Sequence, residues 1–122
     1  MREVKFYKKS YPIIGSGNCV IIFKDELHND VFYTLASFLG AVASKRIPEI
    51  SDTSKLMYAF IKTANPTLFS SYKSFMESTK GLAPFVNWDN IMVLTDEVND
   101  LLDDGSEEEK KEEEEPKKNK SE

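Results

Sequence analysis

The last twenty residues, 103–122, set the terms for the rest: they read DDGSEEEKKEEEEPKKNKSE and hold no apolar side chain apart from Pro116. Ten of them are acidic and five basic, against 21 Asp/Glu and 16 Lys/Arg in the whole chain. The first 102 residues therefore carry 11 charges of each sign, and the net charge of −5 belongs to the tail. A segment with no apolar surface to bury has nothing to set against the entropy of ordering, so 103–122 is expected to be disordered. What can fold is residues 1–102, room for one small domain. A tail of this kind keeps a sticky body soluble or meets a partner electrostatically, and neither task is catalysis.

The body is rich in rings. Eight Phe, five Tyr and one Trp all precede residue 90. A domain this small hides roughly two-thirds of its unfolded surface at best. So many large apolar groups imply either a dense core or a surface that another chain covers. Cys19 is the single cysteine, which excludes an intrachain disulfide and a four-thiolate metal site. The first residues lack a signal-peptide pattern. The longest apolar stretch, residues 31–43, is interrupted by Thr34 and Ser37 and is too short to span a bilayer. A soluble protein of a reducing cytoplasm, away from membranes, is expected.

Period-2 alternation of Val4 and Phe6 with Glu3 and Lys5 predicts an N-terminal strand. A turn at residues 8–10 leads to a second strand that Pro12 restricts to an edge. Residues 15–18 (GSGN) signal another turn, and the β-branched run at 19–23 (CVIIF) predicts a third strand. Helical spacing then takes over. Asp30 and its neighbours cap a helix over about residues 31–45, stopped by Pro48. Ser51 and Asp52 cap a second helix, ended by Asn65-Pro66. Thr67 opens a third, closed by Gly81, and Asn87 caps a fourth whose apolar face includes Trp88, Ile91, Met92, Val98 and Leu102. The expected fold is α+β and mainly helical: a small antiparallel hairpin or meander, about four helices and the acidic tail.

Chemistry-bearing patterns resolve into plainer ones. Residues 15–18 lack the spacing and the following helix of a phosphate-cradling loop, and they read as a turn before a strand. Cys19 lies among strand residues and reads as a small core group. His28 sits among polar residues at a helix entry, and a metal site needs at least three converging donors. Asp25, Glu26 and Asp30 read as charge at a helix N-terminus, which the macrodipole favours. Lys5, Lys8 and Lys9 interleave with Phe6, Tyr7 and Tyr11 as in single-strand binders. A neutral body with an acidic tail argues against nucleic acid, and the pattern reads as the wet and dry faces of an edge strand. No catalytic, cofactor-binding or metal-ligating residue is proposed, and no cofactor is expected.

One helix is harder to account for. Residues 31–42 are apolar around most of the circumference, with a polar stripe reduced to Thr34, Ser37 and Lys45. A helix of that kind must be covered on more than one side, by its own fold, by self-association or by a partner protein.

The order of elements resembles the small tail assembly chaperones of long-tailed bacteriophages. A hairpin of the type VKFYKKSYPI opens the chain, FKDELHNDVF leads into a helix, and LMYAFIKTANPTLFSSYKSFMES is followed by an acidic-faced helix and a charged end. That family's leu-x-tyr-ala … ala-asn-pro segment is matched by Leu56, Tyr58, Ala59, Ala64, Asn65 and Pro66. The resemblance covers most of residues 3–102 and rests on pattern and element order. It implies a non-enzymatic, virus-encoded protein of the host cytoplasm, absent from the finished virion, that escorts the tape measure protein and recruits tail tube subunits. Family members are often also made as a longer product by frameshifting near the C-terminus. On this reading Phe32, Leu35, Leu39 and Val42, with Tyr58 and Phe60, are the expected partner-binding residues. The competing expectation is a small regulatory adaptor, or an inhibitor that mimics nucleic acid, acting through its acidic tail.

Overall fold

The computed structural model describes residues 1–103, so the acidic segment expected to be disordered lies, from residue 104 on, outside the described residues. Strands β1 (Glu3–Phe6) and β2 (Lys9–Pro12) form an antiparallel hairpin with Val4 opposite Tyr11 and Phe6 opposite Lys9. Val4 and Phe6 are buried and Lys5 is exposed, as the alternation requires. Tyr7 and Lys8 make the connection, with Tyr7 at φ 57°, the sign a primed hairpin turn demands at its first central residue.

A two-stranded ribbon is marginal alone and needs its edge satisfied. Ile13 N–H donates to Arg2 O at 2.9 Å, so in this register the Lys5 backbone points away from β2. Asn90 meets it there. Its side chain accepts from Lys5 N–H (2.9 Å) and donates to Lys5 O (2.9 Å) and Pro84 O (3.0 Å). One buried amide thus ties the sheet edge to helix α5 (Trp88–Leu102).

The third strand expected at residues 19–23 is helical instead. Residues 19–22 belong to helix α1 (Asn18–Ile22), and Phe23 opens the π-helical turn into which it runs directly, Phe23–Leu27. Cys19, Ile22, Phe23 and Leu27 are buried while Val20 and Ile21 are exposed, a helical and not an alternating pattern. In so short an apolar run periodicity cannot separate the two, and burial against the helices overrides β-propensity.

Helix α2 (Val31–Ala43) begins where expected, with the Asp30 carboxylate accepting from Phe32 N–H at 3.0 Å. It ends earlier, in a Schellman arrangement: Arg46 N–H reaches Ala41 O (2.9 Å) and Lys45 N–H reaches Val42 O (3.0 Å). Lys45, expected inside the helix, instead occupies the left-handed position at φ 60° where glycine is usual.

Helix α3 (Ile50–Ala64) starts behind Glu49, ahead of the expected caps. Helix α4 (Tyr72–Ser78) starts later than expected, at Ser71, whose hydroxyl accepts from Ser74 N–H. Leu68 and Phe69 therefore lie in the preceding loop, although the Phe69 ring still packs 5.1 Å from that of Phe75. A short 3₁₀ turn, Ala83–Phe85, precedes α5, which Asn87 caps as expected. On α5 the buried face is Asn90, Ile91, Leu94, Thr95 and Val98; Trp88, Met92 and Leu102, placed on it by spacing, are exposed.

The helix covered on every side is α3, not α2. Residues 56–61 are all fully buried, and α3 touches α1, α2, α4, α5, β2 and both short turns. Phe6, Tyr58, Phe69, Phe75 and Phe85 form a chain of ring contacts around it, mostly edge-to-face.

Two consequences are measurable by chemical denaturation. Lys45→Gly should raise stability by about 1 kcal/mol, because the left-handed conformation penalises every residue with a Cβ. Asn90→Ala should lower it by about 2–3 kcal/mol by stranding the Lys5 N–H and two carbonyls.

Candidate functional site

Helix α2 divides cleanly. Thr34, Leu35, Phe38 and Ala41 are buried, and Val31, Leu39 and Val42 pack half-buried at the margins. The opposite side carries Phe32, 65% exposed, and Tyr33, 72% exposed, followed by exposed Ala36, Gly40 and Ala43. The polar stripe inferred from spacing is split. Thr34 is buried, Lys45 is exposed, and Ser37, exposed at the margin, donates its hydroxyl to the Asp52 carboxylate on α3 at 2.7 Å. The rings Phe32 and Tyr33, expected under cover, belong to the surface.

Beyond the rings the exposed face is nearly flat. A Cβ built at Gly40 would meet nothing within 4 Å. Small side chains at Ala36, Gly40 and Ala43 let a second helix approach closely, with Phe32 and Tyr33 as protruding anchors.

The six expected partner residues are not brought together. Phe32 is fully presented, Leu39 and Val42 flank it, and Leu35 is core. Tyr58 and Phe60 are completely buried in α3 and form no surface. Spacing alone could not separate them, because α3 is apolar on every side over residues 56–61. Tyr33 was missed, and its position next to Phe32 at the first helical turn was the available signal.

A second cluster joins α3 to the π-helical turn. The Tyr58 hydroxyl donates to Glu26 Oε1, Lys62 Nζ lies 3.0 Å from Glu26 Oε2, and Lys62 also donates to the Tyr58 oxygen at 3.3 Å. The ammonium sits 5.7 Å from the Tyr58 ring centre. Glu26 is thus an ion-pair partner and not a helix-end charge. Burial, then the hydrogen bond and charge of Glu26, push the Tyr58 hydroxyl well above the ordinary tyrosine range. A phenol held so firmly protonated is a strut and not a base.

The remaining sequence candidates sit apart. Cys19 is core; its sulfur lies 3.7 Å from Thr63 Oγ1 and 4.0 Å from Ile14 O, and burial pushes the thiol up. His28 is exposed at φ 55°, at the end of the π-helical turn. Residues 15–18 lead into a helix after all, yet Gly15 N–H already donates to Glu97 Oε2 at 2.7 Å, and that carboxylate also binds Arg2 at 2.9 Å. An acidic side chain occupies the place where a phosphate would have to sit. On β1 exposed Lys5 and buried Phe6 divide into wet and dry faces, but Lys9 lies opposite Phe6 and shares the face of half-buried Tyr11, and Tyr7 is exposed at the turn, so the division expected of the hairpin holds on β1 alone.

Among the described residues no group of three or more His, Cys, Asp or Glu side chains could hold a metal ion, and no helix is long and apolar enough to cross a membrane. Comparison of the chain with protein-family models, with curated proteins and with solved structures found no match.

A group whose pKa is raised by folding stabilises the fold below its unfolded value and loses that contribution as pH climbs through the folded one. The Tyr58 contribution should therefore be constant up to about pH 10 and decline above it. Tyr58→Phe should remove that part of the alkaline slope and cost about 1–2 kcal/mol at neutral pH, read from urea melts across pH.

Proposed function

We propose that this protein is a non-enzymatic tail assembly chaperone of a long-tailed bacteriophage. It works by reversible protein contact in the host cytoplasm, with the tape measure protein as client and tail tube subunits as recruits. One observation carries the reading: α2 presents Phe32 and Tyr33 above an open strip of Ala36, Gly40 and Ala43. A long helical client needs such a face, because a helix laid against small residues buries apolar area while the two rings fix its register. The resemblance of residues 56–66 to the family's leu-x-tyr-ala … ala-asn-pro segment supports the choice of family, and the charged residues 103–122 would serve as a solubilising appendage.

The test is co-purification with a tape measure protein, the proposed client. Phe32→Ser with Tyr33→Ser is expected to abolish the complex, and Gly40→Leu to weaken it at least about tenfold by filling the strip. All three sites are exposed, so circular dichroism should stay unchanged. Deletion of residues 103–122 is expected to lower solubility and leave binding intact. If the deletion abolishes binding and the α2 variants do not, the protein acts through its acidic tail instead, as an adaptor or mimic.

A further inference from the structure

A groove of about 590 Å³ opens between the hairpin tip, the loop holding Leu68 and Phe69, and the end of α4. Its floor is aromatic: Phe6, Tyr11, Phe69 and Phe75. Tyr7 lies beside it, its hydroxyl 3.0 Å from where a Cβ on Gly81 would stand. Three lysines, Lys8, Lys9 and Lys80, ring the mouth, and among the described residues no carboxylate lines it. The ion pairs among the described residues involve Arg2 and Lys62, so these three ammonium groups are uncompensated there. Tyr7 and Leu68 are exposed at the mouth, and the charged side chains lining it among the described residues are all cationic, beside neutral Ser78 and Thr79. An occupant must bring apolar groups for the floor and negative charge for the rim.

The hairpin decides between a small molecule and a polypeptide. On β2, Ser10 is opposite Lys5, so its N–H and C=O likewise point away from the partner strand. On β1 that edge is closed by Asn90; on β2, exposed Ser10 stands between the groove residues Lys9 and Tyr11 with no backbone partner among the described residues, while further along the same edge Ile14 N–H is taken by Phe60 O of α3. Pro12 has no N–H, which limits any added strand to a short one. An extended strand places alternate side chains on opposite faces, so acidic residues alternating with large apolar ones would satisfy rim and floor together.

We propose that this groove binds a short extended peptide segment of a partner protein in which Glu or Asp alternates with Leu or Phe. No residue of α2 lines the groove, so the proposal stands independently of the chaperone reading.

The test uses fluorescence anisotropy of the full chain with a labelled ELEFELE heptapeptide. Saturable binding is expected, weakened about tenfold by Lys8→Glu with Lys80→Glu, and similarly when the probe is QLQFQLQ. Both lysines are exposed, so the double variant keeps the fold, checked by an unchanged urea midpoint. Absence of saturable binding, or equal binding to the charge-reversed variant, would overturn the proposal. So would saturable binding of dodecanoate with none of the peptide, which would assign the groove to a small anionic amphiphile.

Discussion

A helix whose middle turns are buried on every side has to be built around, and residues 56–61 of α3 impose that condition on this chain. Its six consecutive buried residues include Tyr58, Phe60, Leu56 and Ile61, which cannot all face one neighbour on a 3.6-residue turn. Cover must come from several directions at once. About a hundred residues can supply it only by giving each remaining element one wall: the hairpin, α1 with its π-helical turn, α2, α4 and α5. Every wall then has an inner face that is fully used and an outer face with nothing of this domain left to cover it.

That division of labour explains where the surplus apolar surface went. The chain spends its largest rings on the inner side, where Phe6, Phe75 and Phe85 meet edge-on. What remains outside includes Phe32 and Tyr33 on α2 and Tyr7 and Leu68 at the lysine-rimmed groove, with Val20 and Ile21 on α1 and Trp88 and Met92 on α5 exposed as well. The polar groups that hold the walls in place are few and individually well matched. Asn90 closes the β1 edge, Glu26 and Lys62 with Tyr58 fasten the π-helical turn, and Arg2 bridges Glu97 and Asp100.

Much of this architecture could be read from residues alone where the local signals agreed. Val4 and Phe6 alternate, Asp30 and Asn87 cap, and Pro12 marks an edge; in each case short-range chemistry and final burial point the same way. Residues 19–23 failed because five apolar residues in a row fit either period, and the choice is made by contacts from α3 that are distant in sequence. The same non-locality hid the site. Composition pointed to 31–42 as the helix in need of cover, yet alanine and glycine make much of that apolar character and bury little area. Which helix lies at the centre is set by side-chain volume, and Tyr58, Phe60 and Met57 outweigh Ala36, Gly40 and Ala43. Of the partner residues anticipated by spacing, Phe32 survives as surface, and Tyr58 and Phe60 became the pillar the surface rests on.

The bridge from Arg2 to Asp100 carries a topological implication. It brings the beginning of the chain against the last turn of α5, at 2.6 Å between side chains, so the described chain almost closes into a ring. Entry and exit share one corner, at the open end of the hairpin, while the groove lies at its tip. A few flexible residues would suffice to join Met1 to Asp103, and a circular permutant opened in the exposed stretch before α3 would keep every wall around the central helix.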